Sequence, residues 1–220
     1  MVSAVRNGAV ACRSGTRDIA HEDIKAYYDA KIVRYGATPR GVDWSCIATQ
    51  NLRFVQLLKI CDFDAPFSLN DVGCGYGALI DFLSERYPDA SVDYLGTDLS
   101  PAMVRHGRRL HRHCSFVVSS VSPRVADYSV ASGILNVMLD HSRVVWEDLV
   151  AQTLGDLHRT SRWGFAVNFM AEELSGHSSR QLYQTNPDQW RRYCQSQLEC
   201  SVETVLGYGM REFTLLVRRK

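Results

Sequence analysis

The chain has 220 residues, of which 45% are apolar, and carries a formal net charge of +1 at pH 7. That length and composition suit one domain with a full core and exclude bulk disorder. A charge so near zero argues against nucleic acid or a membrane surface as partner, and no apolar run reaches the roughly 18 residues that span a bilayer.

Seven cysteines are scattered without a Cys-x-x-Cys pair, which predicts no metal site and reduced thiols in a cytoplasmic protein. Residues 1–20 read as a flexible polar tail with three arginines and no apolar signal segment. From His21 the spacing of Ile24, Tyr27, Tyr28, Ile32 and Tyr35 predicts a helix ended by Gly36. Asp43 is the expected cap of a second helix with Trp44, Ile47, Phe54 and Leu58 on one stripe. Arg53 falls just off that stripe and reads as solvated. These helices form a cover, residues 21–62, ahead of a core, residues 66–220.

The core opens with an apolar run, Phe67, Leu69 and Val72, that stops at Gly73, Gly75 and Gly77. Leu79, Ile80, Leu83 and Tyr87 follow at helical spacing up to Pro88. This is strand, glycine turn, helix, a backbone arrangement that lets a ligand approach free N–H groups. Asp71 decides the kind of ligand: its carboxylate would repel a pyrophosphate and suits a cation. A second strand, Tyr94 to Asp98, runs into Ser100 and Pro101, a natural N-cap and first helical residue. Asp98 lies 25 residues after Gly73, close to the roughly 20-residue spacing of a ribose-binding acid. The basic run Arg105 to His113 reads as a solvated helix face. Further strands are expected at Ser115–Val121, Tyr128–Ala131 and Phe165–Phe169, with helices over Trp146–Leu157 and after Asn186, and a closing hairpin from Val202 to Val217. Such alternation implies a parallel sheet covered on both faces.

Asp71-x-Gly73-x-Gly75-x-Gly77 and Gly96-x-Asp98-x-Ser100-x-x-Met103 together resemble two motifs of the class I S-adenosylmethionine-dependent methyltransferases. The resemblance spans about Pro66 to Lys220. It implies an α/β, Rossmann-like, doubly wound seven-stranded mostly parallel sheet with a C-terminal β-hairpin and an N-terminal helical cover. It also implies S-adenosyl-L-methionine as cofactor and S-adenosyl-L-homocysteine as product. Asp71, Gly73, Cys74 and Gly75 would then lie under the amino-acid end of the cofactor and Asp98 at its ribose. Leu99 and Met103 would line the adenine pocket. Ser119, Ser120 and Val121 occupy a place where the family often has Gly-Asp, so a hydroxyl would stand in for the acid that takes the adenine amino group. Gly133, Ile134 and Asn136 match the loop facing the methionine and methyl. The Asn/Asp-Pro-Pro-Tyr/Phe signature of nucleobase or glutamine N-methylation is absent at Leu135-Asn136-Val137-Met138.

These features favour methyl transfer to an oxygen or nitrogen of a small-molecule metabolite. Tyr28 of the cover is the expected cofactor contact. Tyr27 and Trp44 are candidate substrate walls, joined by His177, Arg180 and Tyr183 from a polar lid after the fifth strand. His141, just past the fourth motif, is the candidate general base. Two rivals remain open on the sequence: an NAD(P)-dependent oxidoreductase, since Gly73-x-Gly75-x-x-Ala78 fits a loose dinucleotide pattern, and a non-catalytic cofactor-binding partner subunit. The sequence leaves the oligomeric state open.

Overall fold

The computed structural model describes residues 7–172 and 179–220, with side chains from Arg17 onward. A sheet carries the strands β1 (Phe67–Val72), β2 (Val92–Asp98), β3 (Ser115–Val118), β4 (Ala126–Ala131), β5 (Ser161–Ala171), β6 (Gln184–Thr185), β7 (Ser201–Val205) and β8 (Glu212–Arg218). Their order is β3-β2-β1-β4-β5-β8-β7, with the two-residue β6 beside the end of β5. The first five strands are parallel. The closing hairpin returns antiparallel, and β8 slots between β5 and β7. The order reverses direction at β1 and β4, so a crevice opens beyond their carboxyl ends.

Helices α1 (Asn7–Tyr35), α2 (Ile47–Leu57), α3 (Ala78–Arg86), α4 (Pro101–Leu110), α5 (Arg143–Arg159) and α6 (Pro187–Gln197) complete the fold. One face of the sheet packs against Trp146, Leu149, Val150 and Leu154 of α5 and Trp190 of α6. The other packs against Phe54 and Leu57 of α2 and Leu79, Phe82 and Leu83 of α3. Among the described residues no helix is long and apolar enough to cross a membrane.

Three expectations change. Helix α1 begins at Asn7 rather than His21, so the flexible tail expected over residues 1–20 does not describe its later part. Ala20 is fully buried, and the Arg17 guanidinium donates to Asp156 at 2.7 Å and Gln152 at 3.2 Å on α5. Asp43 does not cap α2; it closes a 3₁₀ turn at Pro39–Val42 with φ 63°, and Cys46 takes the cap position. Its carboxylate instead accepts from the Tyr27 hydroxyl at 2.6 Å and Lys31 at 2.5 Å, partners that hold it back on α1. Arg53, expected in solvent, is 6% exposed.

Candidate active site

The floor of the crevice is built at the ends of β1 and β2. Gly73 has φ 73°, and a Cβ there would lie 2.0 Å from the Ile134 side chain, so only glycine fits the turn. The N–H groups of Gly73 and Cys74 donate to the Thr97 carbonyl at 2.7 and 2.9 Å, which ties the turn to β2. Asp98 is fixed by two backbone donors, the Gly75 N–H at 2.9 Å and the Ser100 N–H at 2.8 Å, one on each carboxylate oxygen. Each oxygen keeps a second lone pair. Burial raises Asp98 to about 6, against the lowering effect of those two N–H groups. Ser100 caps α4 as its sequence suggested: its Oγ accepts from the Met103 N–H and itself donates to Asp29. Asp71 is buried at 3% exposure, and the Tyr94 hydroxyl donates to it at 2.7 Å. Burial lifts it to about 7, with nearby Asp98 adding to the rise and the Tyr94 bond opposing it. A buried acid with no cation beside it among the described residues is poised to receive one.

The second wall is the loop after β4. Gly133 has φ 73°, and its N–H donates to Asn168 Oδ1 at 2.7 Å. Asn168 Nδ2 donates onward to Glu212 Oε2 at 2.8 Å. Glu212 accepts Arg53 Nε at 2.9 and 3.1 Å and Nη2 as well, while Arg53 Nη1 reaches the Thr49 carbonyl at 2.7 Å. The Arg53 guanidinium lies 3.7 Å from the centroid of the Trp44 ring. The circuit closes on itself, because a Cβ at Gly133 would lie 2.2 Å from the same indole. Trp146 holds the far end of the loop, donating from Nε1 to the Leu135 carbonyl at 3.0 Å.

Floor, loop and cover surround a cleft of about 1040 Å³, a figure that counts the open space at its mouth. Its polarity is divided. Asp71 and Asp98 lie at the glycine turn, while His21 and Lys25 of α1 and Thr153 of α5 line the other end.

A sequence model described as a methyltransferase domain matches residues 70–164. Rv1506c of Mycobacterium tuberculosis, named a methyltransferase by inference, is 38% identical over 169 residues, covering 74% of this chain and 99% of its own length. The chain belongs to the class I S-adenosylmethionine-dependent methyltransferases. Trans-aconitate 2-methyltransferase of Rhodopseudomonas palustris is 32% identical over 111 residues, 45% of this chain and 42% of that enzyme. The chain thus spans less than half of that relative. Among solved structures, the mitomycin 7-O-methyltransferase aligns with a TM-score of 0.63 at 14% identity over 93% of this chain and 60% of the other. The magnesium protoporphyrin IX methyltransferase of Synechocystis, solved with S-adenosylmethionine bound, aligns at 0.52 and 14% identity over 100% and 87%. At those identities the likeness concerns the fold alone.

Against this methyltransferase frame the sequence-predicted residues divide. Asp71, Gly73, Cys74, Gly75, Asp98, Leu99, Met103, Ser119, Ser120, Gly133, Ile134, Tyr28 and Trp44 all line the cavity. Others face elsewhere. Val121 lies beyond the lining and donates its N–H to Ser119 Oγ. Asn136 is buried behind the loop, with its carbonyl on the Tyr183 N–H. Tyr27 is turned to Asp43. His141 places Nε2 3.2 Å from Asp23 and its ring over Trp146, away from the lining. Tyr183 is a core residue, 1% exposed, accepting from Trp190 Nε1 at 3.0 Å. Arg180 is exposed, and His177 lies outside the described residues.

The lining residues that the motifs do not point to include His21, Ile24 and Lys25 of α1, Gln50 of α2, Tyr76 and Ser132 of the loops, and Leu149 and Thr153 of α5. A signal existed for the first set. The ridge Ile24, Tyr28, Ile32 extends back one turn at helical spacing to His21.

Proposed function

We propose that this methyltransferase moves the methyl group of S-adenosylmethionine to an oxygen or nitrogen of a small-molecule metabolite. The observation that carries the reading is the continuity of the cavity, which runs from the glycine floor into an end walled by Ile24, Leu135 and Leu149 and roofed by α1 and Trp44. A concave cleft lined largely by apolar side chains suits a metabolite rather than a duplex or a folded protein. The relative that acts on trans-aconitate by its name is consistent with that choice.

The residues present fit the cofactor. The cradle at Gly73 has no room for a side chain, the buried Asp71 is matched to an ammonium, and Asp98 retains lone pairs for two ribose hydroxyls. Leu99, Met103, Ser119 and Ser120 would flank the adenine, and the Ser132–Ile134 loop the methionine end. Ser132 Oγ is buried without a hydrogen-bond partner among the described residues, a donor available at that end. Bound there, the cofactor supplies an electrophilic methyl on a sulfonium. The chain's own task is to hold the acceptor atom in line and exclude water, for which positioning is the main demand. A carboxylate oxygen needs no base; a hydroxyl does, and among the described residues the imidazole that lines this cleft is His21 rather than His141. The six free thiols among the described residues suit a reducing cytoplasm.

The test is twofold. Calorimetry should find micromolar binding of S-adenosylhomocysteine and none of NADH. Incubation with labelled S-adenosylmethionine should then label the dialysable fraction of a cell extract. Label confined to RNA or protein would overturn the small-molecule reading.

A further inference from the structure

The charges that line the cavity are sorted by position. Both acids, Asp71 and Asp98, sit at the glycine turn, and among the described residues the one permanent cation of the lining is Lys25, carried with His21 on the stretch of α1 between the Asp29–Ser100 contact at the floor and the Arg17–Asp156 contact with α5. We infer that the acceptor is a small carboxylic acid with an apolar body, whose carboxylate is held by Lys25 and His21. This rests on the methyltransferase reading and names the substrate class of the same site.

The chemistry favours one carboxylate over a phosphate. Arg17, one turn before His21, could have made the end strongly cationic, but its guanidinium is committed to Asp156 and Gln152. Lys25 alone then supplies a full positive charge. Burial and the nearby Arg17 lower the pKa of His21, against smaller opposing effects of Asp18, Asp156 and Glu22. A neutral ring offers one N–H donor. One cation and one neutral donor match a monoanion, and a dianion would be left undercompensated in a cavity that also holds two acids. Lys25 is free to serve. Its partner Glu22, at 3.1 Å, lies outside the lining with its side chain 74% exposed. Such a pair is weak, and an ammonium has two further protons to donate. Ile24 and Leu149 beside these groups supply the wall for the apolar body.

A carboxylate could also be the cofactor's own, and the experiment separates the two sources. The protein saturated with S-adenosylhomocysteine is titrated with benzoate, phenylacetate, cinnamate and octanoate, each against its primary amide, by calorimetry. At least one acid should bind about tenfold or more tightly than its amide, the worth of a charge-assisted hydrogen bond. Lys25→Met should erase that preference and Lys25→Arg restore it, with S-adenosylhomocysteine affinity unchanged in both. Equal binding of every acid and its amide would overturn the inference. So would a Lys25→Met variant that loses S-adenosylhomocysteine by the same factor, because Lys25 would then hold the cofactor's carboxylate. In either case normal S-adenosylhomocysteine binding by the unaltered protein leaves the methyltransferase reading standing.

Discussion

The floor of the site and its cover solve the same problem in different ways. The floor is made of backbone: N–H groups of Gly73, Cys74, Gly75 and Ser100, drawn together by one carbonyl and one carboxylate within a segment of the parallel sheet. The cover is made of side chains from distant parts of the chain, with Trp44 and Arg53 of the N-terminal segment seated on Glu212 of β8 and the Gly133 loop. Backbone geometry leaves little freedom, so the floor tolerates few substitutions and changes little on binding. Side-chain contacts can be lost one at a time, so the cover is where stability and closure can be tuned.

The largest effect should come from the anchor of the cover. Arg53 and Glu212 are each 6% exposed and bonded to one another. Arg53→Met leaves the Glu212 carboxylate buried without its cation, a change that costs about 3–5 kcal/mol. The urea midpoint should fall accordingly, and replacing Glu212 with Gln in the same chain should recover part of the loss. A midpoint unchanged in the single variant would show that the pair is not closed in solution.

Next in size is the floor. Asp98→Ala removes the acceptor for Gly75 and Ser100 and, on the role proposed for it, the partner of the ribose. Affinity for S-adenosylhomocysteine should drop about ten- to a hundredfold, as expected for a charge-assisted hydrogen bond. Calorimetry on the folded variant decides it; unchanged affinity would place the ribose elsewhere.

A smaller effect concerns the floor alone and is read by pH. Burial pushes Asp71 up to about 7 and Asp98 up to about 6. Acids raised in this way hold protons in the folded chain that the unfolded chain has already released. Stability of the free protein from these groups therefore falls as pH rises from about 4 towards 7. A ligand ammonium beside Asp71 favours the carboxylate, so S-adenosylhomocysteine binding should strengthen by about tenfold between pH 6 and pH 8 and release a proton near the lower end. Asp71→Asn should flatten the profile. Proton uptake on binding would contradict the assignment of the ammonium to Asp71.

The same division governs what the sequence could tell. Three glycines at fixed spacing, an acid before them, and a Ser-Pro helix start are local instructions. The strand–turn–helix units they predict are present, as are the mostly parallel sheet and the terminal hairpin. The cover depends on partners far along the chain. Arg53 reads as solvated because Glu212, 159 residues away, is invisible to local periodicity. Asp43 before an apolar run has the look of an N-cap, yet Tyr27 and Lys31 draw its side chain back to α1. His141 reads as a base from its proximity to the fourth motif, but the chain turns it to Asp23, and His21 lines the cleft instead.

The smallest expected effect is also the one that tests whether the cover moves. If α1 and Trp44 close over the site, residues 21–45 must open and reclose to admit ligands. Trp44 rests on Gly133 and Arg53, and the Tyr28 ring lines the cavity while Tyr27 is held by Asp43. A bound cofactor would add contacts to Tyr28 and Trp44 and none to Tyr27. Backbone hydrogen exchange over residues 21–45 should therefore slow with S-adenosylhomocysteine, while the α3 amides, already packed on the floor, change little. Trp44→Leu should weaken that protection, because the shorter side chain abandons both Gly133 and the Arg53 guanidinium. Equal exchange with and without ligand would mean that the cover is permanent packing. Entry would then have to pass the cationic end beside Lys25, and Trp44 would serve only as a wall.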